Sequence, residues 1–188
     1  MILGFHVIFS AYGFWLPNDP RGSWSEFVGS WELLRFGTAT KVNTRRSLAA
    51  SLHDEGLRRR AKRALEYPPV HLTGRQALAA TEGFDQARRE SGYIVYGCSV
   101  LPEHVHMVIG RHDRNIRAIV GHLKGRATQH LLAGGLWSNR GRPIWARKSW
   151  AVFLDSPDDI RRAIAYVEEN PQKEHKPRQR WSFLTEYL

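Results

Sequence analysis

The chain has 188 residues and a formal net charge of +10, from 28 Lys and Arg against 18 Asp and Glu. With 42% hydrophobic and 24% charged residues, the composition is that of a globular domain and excludes a disordered or fibrous chain. The single cysteine, Cys98, excludes a disulfide framework and a cysteine-based zinc site, and is typical of a reducing compartment. The longest apolar stretch is short and interrupted, so we expect neither a signal peptide nor a membrane helix.

Seven tryptophans in so basic a chain favour a nucleic-acid partner. Cations bind phosphates, while aromatic rings stack on unpaired bases. A Trp-rich core in an ordinary basic protein is the alternative explanation.

The hydrophobic pattern along the chain predicts four strands and four helices. Strands are expected where apolar or β-branched residues alternate with others, at residues 3–9, 93–101, 104–109 and 144–154. Helices are expected where apolar spacing follows a capping residue, at residues 73–91, 113–131 and 156–170, with a further basic helix at 48–65. The order of these elements predicts an α+β fold, a ferredoxin-like antiparallel sheet with the helices packed on one face.

A long segment follows the first predicted strand. Residues 12–44 are rich in Gly, Pro and Trp and lack a regular pattern, which is typical of a functional or inserted loop. We therefore expect a single domain over residues 1–188, with residues 12–72 as an insertion or accessory segment within it. Residues 45–67 carry seven Lys or Arg, which suit a DNA groove and a solvated helix face equally.

The sharpest local signal is the sequence PEHVHMV at residues 102–108. Strand alternation places His104 and His106 on one face of the sheet and the apolar residues between them on the other. Two imidazoles whose Cα atoms are roughly 7 Å apart can chelate one divalent ion, together with two further ligands or waters. Two partly exposed histidines on an open sheet face would give the same pattern, so the motif alone fixes no reaction.

The last predicted helix carries a tyrosine and an oxygen donor beside its apolar stripe. The stripe, at helical spacing, consists of Ile160, Ala163, Ile164 and Val167. Tyr166 lies on the flank of this stripe, and Asn170, four residues on, shares its side, while Glu169 lies further round. A half-buried tyrosine whose hydroxyl reaches water is the structural alternative.

Together the two patterns indicate phosphoryl transfer on DNA. A divalent ion next to a phosphate stabilises the charge that develops, and a positioned phenol is a competent nucleophile. Its attack would leave a phosphotyrosine link and a free 3′-hydroxyl, and a second strand could reverse it without ATP because the phosphodiester energy is conserved. The lack of a Gly-x4-Gly-Lys-Ser/Thr phosphate loop in the sequence agrees with this chemistry.

The same residues resemble a known family. The sequence LPEHVHMV at residues 101–108 resembles the MPNHVHLL signature of the single-tyrosine HUH transposases. Residues 145–171 are similar to the WQRGYYDHVI and YIxxNP blocks of the REP-associated tyrosine transposases, and HLKGRAT at residues 122–128 matches in place and character. The resemblance covers residues 93–173 well and residues 5–9 weakly.

This resemblance implies the ferredoxin-like HUH endonuclease fold with a Mg²⁺ or Mn²⁺ ion as cofactor. His104 and His106 would be metal ligands, and Asn170 would be the third, with Glu169 as the alternative. Tyr166 would be the nucleophile. The implied function is a metal-dependent single-strand DNA endonuclease and strand transferase, a transposase, that acts on hairpin or repeat DNA through a 5′-phosphotyrosine intermediate.

Eight basic residues are candidates for DNA contact, because they lie among tryptophans, on the HLKGRAT helix or in the basic tail. They are Lys124, Arg126, Arg140, Arg142, Arg147, Lys148, Lys173 and Lys176. The expected partner is single-stranded or hairpin DNA, with no membrane partner, and the expected location is the cytoplasm, in association with the nucleoid when DNA is bound. The sequence leaves a monomer and a homodimer open.

Two other functions compete with strand transfer. A domesticated relative would bind hairpin or single-stranded DNA without cutting it, although both histidines and the tyrosine are present. A small-molecule metalloenzyme built on the histidine pair would not bind DNA, and the charge of +10 argues against it.

Overall fold

The computed structural model describes residues 1–17, 19, 31–37 and 53–188. In chain order the elements are β1 (Gly4–Ala11), α1 (Trp31–Leu34), α2 (Glu55–Arg63), α3 (Gly74–Ser91), β2 (Val95–Val100), β3 (His104–Gly110), α4 (Ile116–Ala133), β4 (Trp145–Leu154) and α5 (Pro157–Lys173). The chain divides into two compact units, one formed by Met1–Ala11 with His71–Leu188 and one formed by Tyr12–Val70. None of the helices in the described ranges is long and apolar enough to cross a membrane.

The larger unit is built on a four-stranded antiparallel sheet with the strand order β2-β3-β1-β4. Strand β3 lies between β2 and β1, and all seven of its residues are buried. The predicted α+β class and the antiparallel sheet are confirmed.

One face of the sheet is covered by α3 and α4. Phe9 of β1 is fully buried there, with its ring centroid 5.8 Å from that of Phe84 on α3 and 5.6 Å from that of Trp145 on β4. The two helices approach closely, because a Cβ atom on Gly83 of α3 would lie 2.5 Å from the backbone of Ala127 on α4. A glycine at this position therefore sets the distance between the helices.

The opposite face of the sheet is covered by α5. Val108 of β3 packs in one cluster with Ile160 and Val167 of α5, and all three side chains are buried. The expectation that the helices lie on one face is therefore corrected, since they occupy both faces. The physical reason is that β3 carries apolar residues on both sides, Met107 on one and Val108 on the other, so that both faces must be covered.

Most helix boundaries follow local capping chemistry. The Thr73 hydroxyl accepts a hydrogen bond from the Gln76 backbone, and the Gln76 side chain accepts one from the Thr73 backbone, which is the predicted capping box. At α4 the structure differs from the prediction, because the N-cap is Asn115 and not Asp113. The Asn115 side chain accepts a hydrogen bond from the Arg117 backbone at 2.9 Å.

Helix α5 begins as predicted but ends later. The Ser156 hydroxyl accepts a hydrogen bond from the Asp159 backbone, and Pro157 occupies the first turn. The predicted end before Pro171 is wrong, since the helix includes that proline and continues to Lys173. Pro171 lacks the N–H that would donate to the carbonyl four residues earlier, so the helix continues through it with one backbone hydrogen bond fewer. The extra residues carry Lys173 and Glu174 towards the sheet face that α5 covers.

The smaller unit, Tyr12–Val70, nearly coincides with the predicted insertion at residues 12–72. Its buried cluster consists of Leu16, Leu33, Phe36 and Ala61. Of the basic helix expected at residues 48–65, the part before residue 53 lies outside the described residues, and α2 begins after the N-cap Asp54. That this segment is an insertion or an accessory element stays a prediction.

The close approach of α3 and α4 can be tested with alanine substitutions. Gly83→Ala is expected to lower the free energy of unfolding by about 1–3 kcal/mol, because its methyl group would overlap the α4 backbone. Gly121→Ala on α4 is the matched control, since nothing lies within 4 Å of its added Cβ atom, and it should stabilise the protein by about 0.5–1 kcal/mol. Urea unfolding followed by circular dichroism measures both changes, and equal effects would contradict the packing.

Candidate active site

The centre of the candidate site is the histidine pair of β3. His104 and His106 are 8% and 5% exposed, and their ring centroids are 5.0 Å apart. They pair across the sheet with Ser10 and Ile8 of β1, which places them on the face covered by α5. The structure thus buries the pair under a helix, in contrast to the open sheet face that was the alternative.

Tyr166 lies next to this pair, as the helical spacing predicts. Its ring centroid is 5.6 Å from that of His106, and 42% of the residue is exposed. The Lys173 ammonium lies 4.4 Å from the centre of the Tyr166 ring. Tyr166 therefore lies between the buried histidines and the solvent. Its exposed part is accessible to a large substrate.

Asn170 lies on α5 between two contacts with the histidine pair. Tyr166 contacts His106, and Glu174, about two turns further on, approaches His104 with an Oε1–Nε2 distance of 3.8 Å. Asn170 has the same helical phase as Tyr166 and is only 7% exposed. Helix geometry therefore places its amide at the level of the pair.

Glu169, the alternative oxygen ligand, points elsewhere. Its side chain is 61% exposed and forms an ion pair with Lys173 at 3.6 Å. The two candidates for a third ligand thus differ in environment, since one faces the sheet and the other faces solvent.

His6 of β1 is a member of the site that the sequence analysis did not identify. Its Nε2 atom lies 3.1 Å from Nδ1 of His106, and its ring centroid is 5.6 Å from that of Tyr166. Alternation along β1 could have indicated its position. His6 lies between Phe5 and Val7, which face α3 and α4, so its side chain points to the opposite face of the sheet. The register between β1 and β3, which brings His6 to His106, has no local signal in the sequence.

Burial favours the neutral forms of three titratable groups of the site, His6, His106 and Tyr166. It lowers the pKa of His6 to about 4. Burial, followed by the charges of His104, His6 and Lys173, lowers the pKa of His106 well below its usual value. Burial and the Glu174 carboxylate raise the pKa of Tyr166. At neutral pH His6 and His106 are thus neutral, the form in which imidazoles ligate metals, and Tyr166 is an un-ionised phenol.

Two buried hydroxyl oxygens and one amide nitrogen around the pair have room for a further binding partner, and the oxygens are compatible with a divalent cation. Within the described residues, Ser10 Oγ, Ser99 Oγ and Asn170 Nδ2 are buried and lack a hydrogen-bond partner. Ser10 pairs with His104 and Ser99 with His106, so both hydroxyls belong to the same face. The two hydroxyl oxygens can face an ion or water, whereas the amide nitrogen only donates and needs an acceptor.

The donor set consists of two imidazoles and one amide. In the part of the chain that the structure describes, no group of three or more His, Cys, Asp and Glu side chains is arranged to hold a metal ion. A metal at this site would therefore depend on the amide oxygen of Asn170, which hard divalent ions accept as a ligand.

The predicted DNA-binding residues occupy several environments. Arg142 lies over the Trp137 ring at 5.0 Å, while Arg140, Arg147 and Lys148 are exposed and Lys176 is partly buried. None of these environments tests whether the five residues bind DNA, so that role stays a prediction.

The other three predicted DNA contacts make specific interactions within the larger unit. Lys124 donates hydrogen bonds to the carbonyls of Ala146 and Lys148, and burial lowers its pKa to about 8. Arg126 pairs with Glu90 at 2.7 Å, and both α4 residues lie in the helical layer opposite Tyr166. Lys173 alone of these three is brought to the histidine–tyrosine cluster.

The electrostatic contact between Glu174 and Tyr166 can be tested by titration. Glu174→Gln is expected to lower the pKa of Tyr166, because removal of the carboxylate charge stabilises the phenolate. NMR titration of tyrosine labelled with ¹³C at Cζ measures this shift. Glu169→Gln is the control and should leave the pKa of Tyr166 unchanged. The same displacement in both variants would contradict a specific contact.

Comparison with known proteins gives structural neighbours only. No family model and no curated protein matches the chain. The structure is similar to that of a REP-associated tyrosine transposase bound to a REP hairpin, with 15% identity and a TM-score of 0.49 over 93% of this chain and 70% of that one. It is also similar to a candidate transposase from Deinococcus radiodurans R1, with 12% identity and a TM-score of 0.42 over 94% of each chain. The family that the sequence resembles is thus the one found among these neighbours.

Proposed function

We propose that this protein is a metal-dependent single-strand DNA endonuclease and strand transferase of the transposase type, which acts on hairpin or repeat DNA through a 5′-phosphotyrosine intermediate. The observation that carries the proposal is the position of the half-exposed Tyr166 beside His106, with Asn170 buried on the same side of α5. This arrangement supports the roles that the sequence motifs imply for these residues.

His104, His106 and Asn170 are the residues that would hold Mg²⁺ or Mn²⁺. The ion, when bound, would supply charge stabilisation at a phosphate oxygen of the scissile group. The chain itself supplies a neutral His106 imidazole and a buried amide, and neither needs to lose a proton to bind a cation at neutral pH.

Tyr166 is the proposed nucleophile. Its hydroxyl oxygen forms a bond to phosphorus while the bond from phosphorus to the 3′ oxygen breaks, and the phenol proton is balanced by the proton that the 3′-hydroxyl takes up. Lys173 lies 4.4 Å from the ring centre, whereas burial and the Glu174 carboxylate raise the pKa of Tyr166, so the phenol loses its proton only in the course of the attack. A 3′-hydroxyl of another strand reverses the reaction and releases Tyr166, so no nucleotide cofactor is consumed.

DNA is the proposed partner because of charge and aromatic surface. The chain carries +10, and the cation–π pair of Arg142 with Trp137 offers a ring and a cation together. Such pairs suit unpaired bases and their phosphates. Exposed Arg140, Arg147 and Lys148 lie close in sequence to this pair and are proposed to contact the DNA backbone.

A non-cleaving DNA-binding protein is the second candidate function. The burial of Tyr166 and the neighbouring Glu174 raise its pKa, which opposes formation of the phenolate. A protein that retains the fold and the charge but does not ionise Tyr166 would bind DNA without cutting it.

The decisive experiment tests for a covalent adduct. The protein is incubated with labelled single-stranded hairpin oligonucleotides from the flanks of its own gene, with Mg²⁺ or Mn²⁺ and with EDTA, and resolved on a denaturing protein gel. We expect a metal-dependent adduct that Tyr166→Phe abolishes, while DNA affinity stays within about threefold because the ring remains. Tight binding without an adduct would favour the non-cleaving alternative, and equal nicking by Tyr166→Phe would contradict the nucleophile assignment.

The ligand roles predict an order of effects on cleavage. His106→Ala should abolish metal-dependent cleavage and keep DNA binding, and Asn170→Ala should weaken cleavage less, because a water molecule can replace one neutral oxygen ligand. Glu169→Ala is the matched control on the same turn and should cleave as the wild type does, because its side chain faces solvent. Nicking assays at several Mn²⁺ concentrations separate the three. Greater damage from Glu169→Ala would assign the third ligand to the carboxylate.

A further inference from the structure

His6 contacts both groups on which the proposed reaction depends. Its Nε2 atom is 3.1 Å from His106 Nδ1, and its ring lies edge-on to that of Tyr166 with the centroids 5.6 Å apart. The His6 and His106 rings are inclined by only 31° with their centroids 5.3 Å apart. The two imidazoles thus meet side by side and share one hydrogen bond.

That hydrogen bond has two arrangements with opposite consequences. If His6 donates from Nε2, then Nδ1 of His106 is the acceptor, and the neutral His106 ring carries its own proton on Nε2. If His106 donates from Nδ1, then Nε2 of His106 holds a lone pair, and His6 carries its proton on Nδ1. Only the second arrangement leaves the far nitrogen of His106 able to bind a cation.

We propose that His6 is a positioning residue that accepts the Nδ1 proton of His106, fixing the tautomer and orientation in which Nε2 of His106 ligates the metal. This inference rests on the proposed metal site. It assigns to His6 the outer-shell role that carboxylates or carbonyls commonly have behind ligating histidines. A neutral imidazole performs it here without adding a negative charge near the phosphate of the DNA.

The surroundings of His6 support an outer position. Its Nε2 points at the ring nitrogen of His106 that faces β1, and its neighbours across the sheet, Val108 on β3 and Val152 on β4, are apolar. His104, by contrast, is approached from α5 by the Glu174 carboxylate at 3.8 Å. The two histidines of the pair thus have different supporting partners, one from the sheet and one from the end of α5.

The first test needs no metal and no DNA. Long-range ¹H–¹⁵N NMR correlations of the histidine rings identify which nitrogen carries the proton, and His106→Gln assigns its signals. We expect His106 in the Nδ1–H form in the wild type and loss of that preference in His6→Phe, which keeps an aromatic ring but accepts no hydrogen bond. A wild-type His106 in the Nε2–H form would overturn the inference whatever the enzyme's activity.

The second test measures Mn²⁺ affinity from the electron paramagnetic resonance signal of the free ion. His6→Phe should weaken binding by roughly 10–100-fold, and His6→Gln, whose carbonyl oxygen can accept the Nδ1 proton, should stay within about threefold of wild type. His122→Phe, which removes a hydrogen-bonded imidazole on α4, is the control and should bind Mn²⁺ normally. Thermal unfolding checks that every variant is folded.

The outcomes separate this inference from the proposed function. Mn²⁺ binding that is lost in His104→Ala yet unchanged in His6→Phe would overturn the role of His6 and leave the metal site intact. Mn²⁺ binding that is unchanged in His104→Ala would refute the metal site and, with it, the role of His6 behind a metal ligand. Pulsed resonance counts ligating nitrogens, and a fall from three to two in His6→Phe would make His6 a ligand and overturn the positioning role.

Discussion

The packing of α5 against the sheet is the interaction on which the candidate site depends. Val108 meets Ile160 and Val167 in a buried cluster, and each such side chain contributes about 1.5–3 kcal/mol through burial. The helix has 3.6 residues per turn, so seating these apolar residues also fixes the direction of Tyr166 and Asn170 on its flank. The same contact that stabilises the fold thus sets the distance between the phenol and the histidines.

The packing of α5 removes the polar groups beneath it from water, which is energetically unfavourable. Burial lowers the pKa of His6 and of His106 and raises that of Tyr166, which means that it disfavours the charged forms of these three groups. Two serine hydroxyls and the Asn170 amide nitrogen are buried without partners among the described residues. Clusters with perturbed pKa values and unsatisfied donors are uncommon in structural cores and are characteristic of functional sites.

Local sequence signals were sufficient to predict most of the helices and strands and part of the candidate site. Strand alternation predicted that His104 and His106 share a face, and i,i+4 spacing predicted that Asn170 lies beside Tyr166, because both periodicities are properties of single elements. The sequence did not predict that α5 covers a separate face of the sheet. A short strand with apolar residues on both sides shows no alternation, so its pattern does not indicate which face each helix covers. His6 was missed because its contact with His106 depends on a register between strands a hundred positions apart in the chain.

The α3–α4 layer and the α5 layer, on opposite faces of the sheet, differ in what their polar and charged residues contact. In the α3–α4 layer, Gly83 sets a close helix contact, and Lys124 and Arg126 are already engaged with backbone carbonyls and with Glu90. Their charges are therefore poor candidates for phosphate contacts, since binding DNA would require breaking these interactions. For the proposed DNA contacts, the exposed residues Arg140 and Arg147 and the half-exposed Lys173, which lies on the Tyr166 ring, are the better candidates. In the larger unit, Lys124 and Arg126 thus help to hold the fold together, while Lys173 lies at the tyrosine.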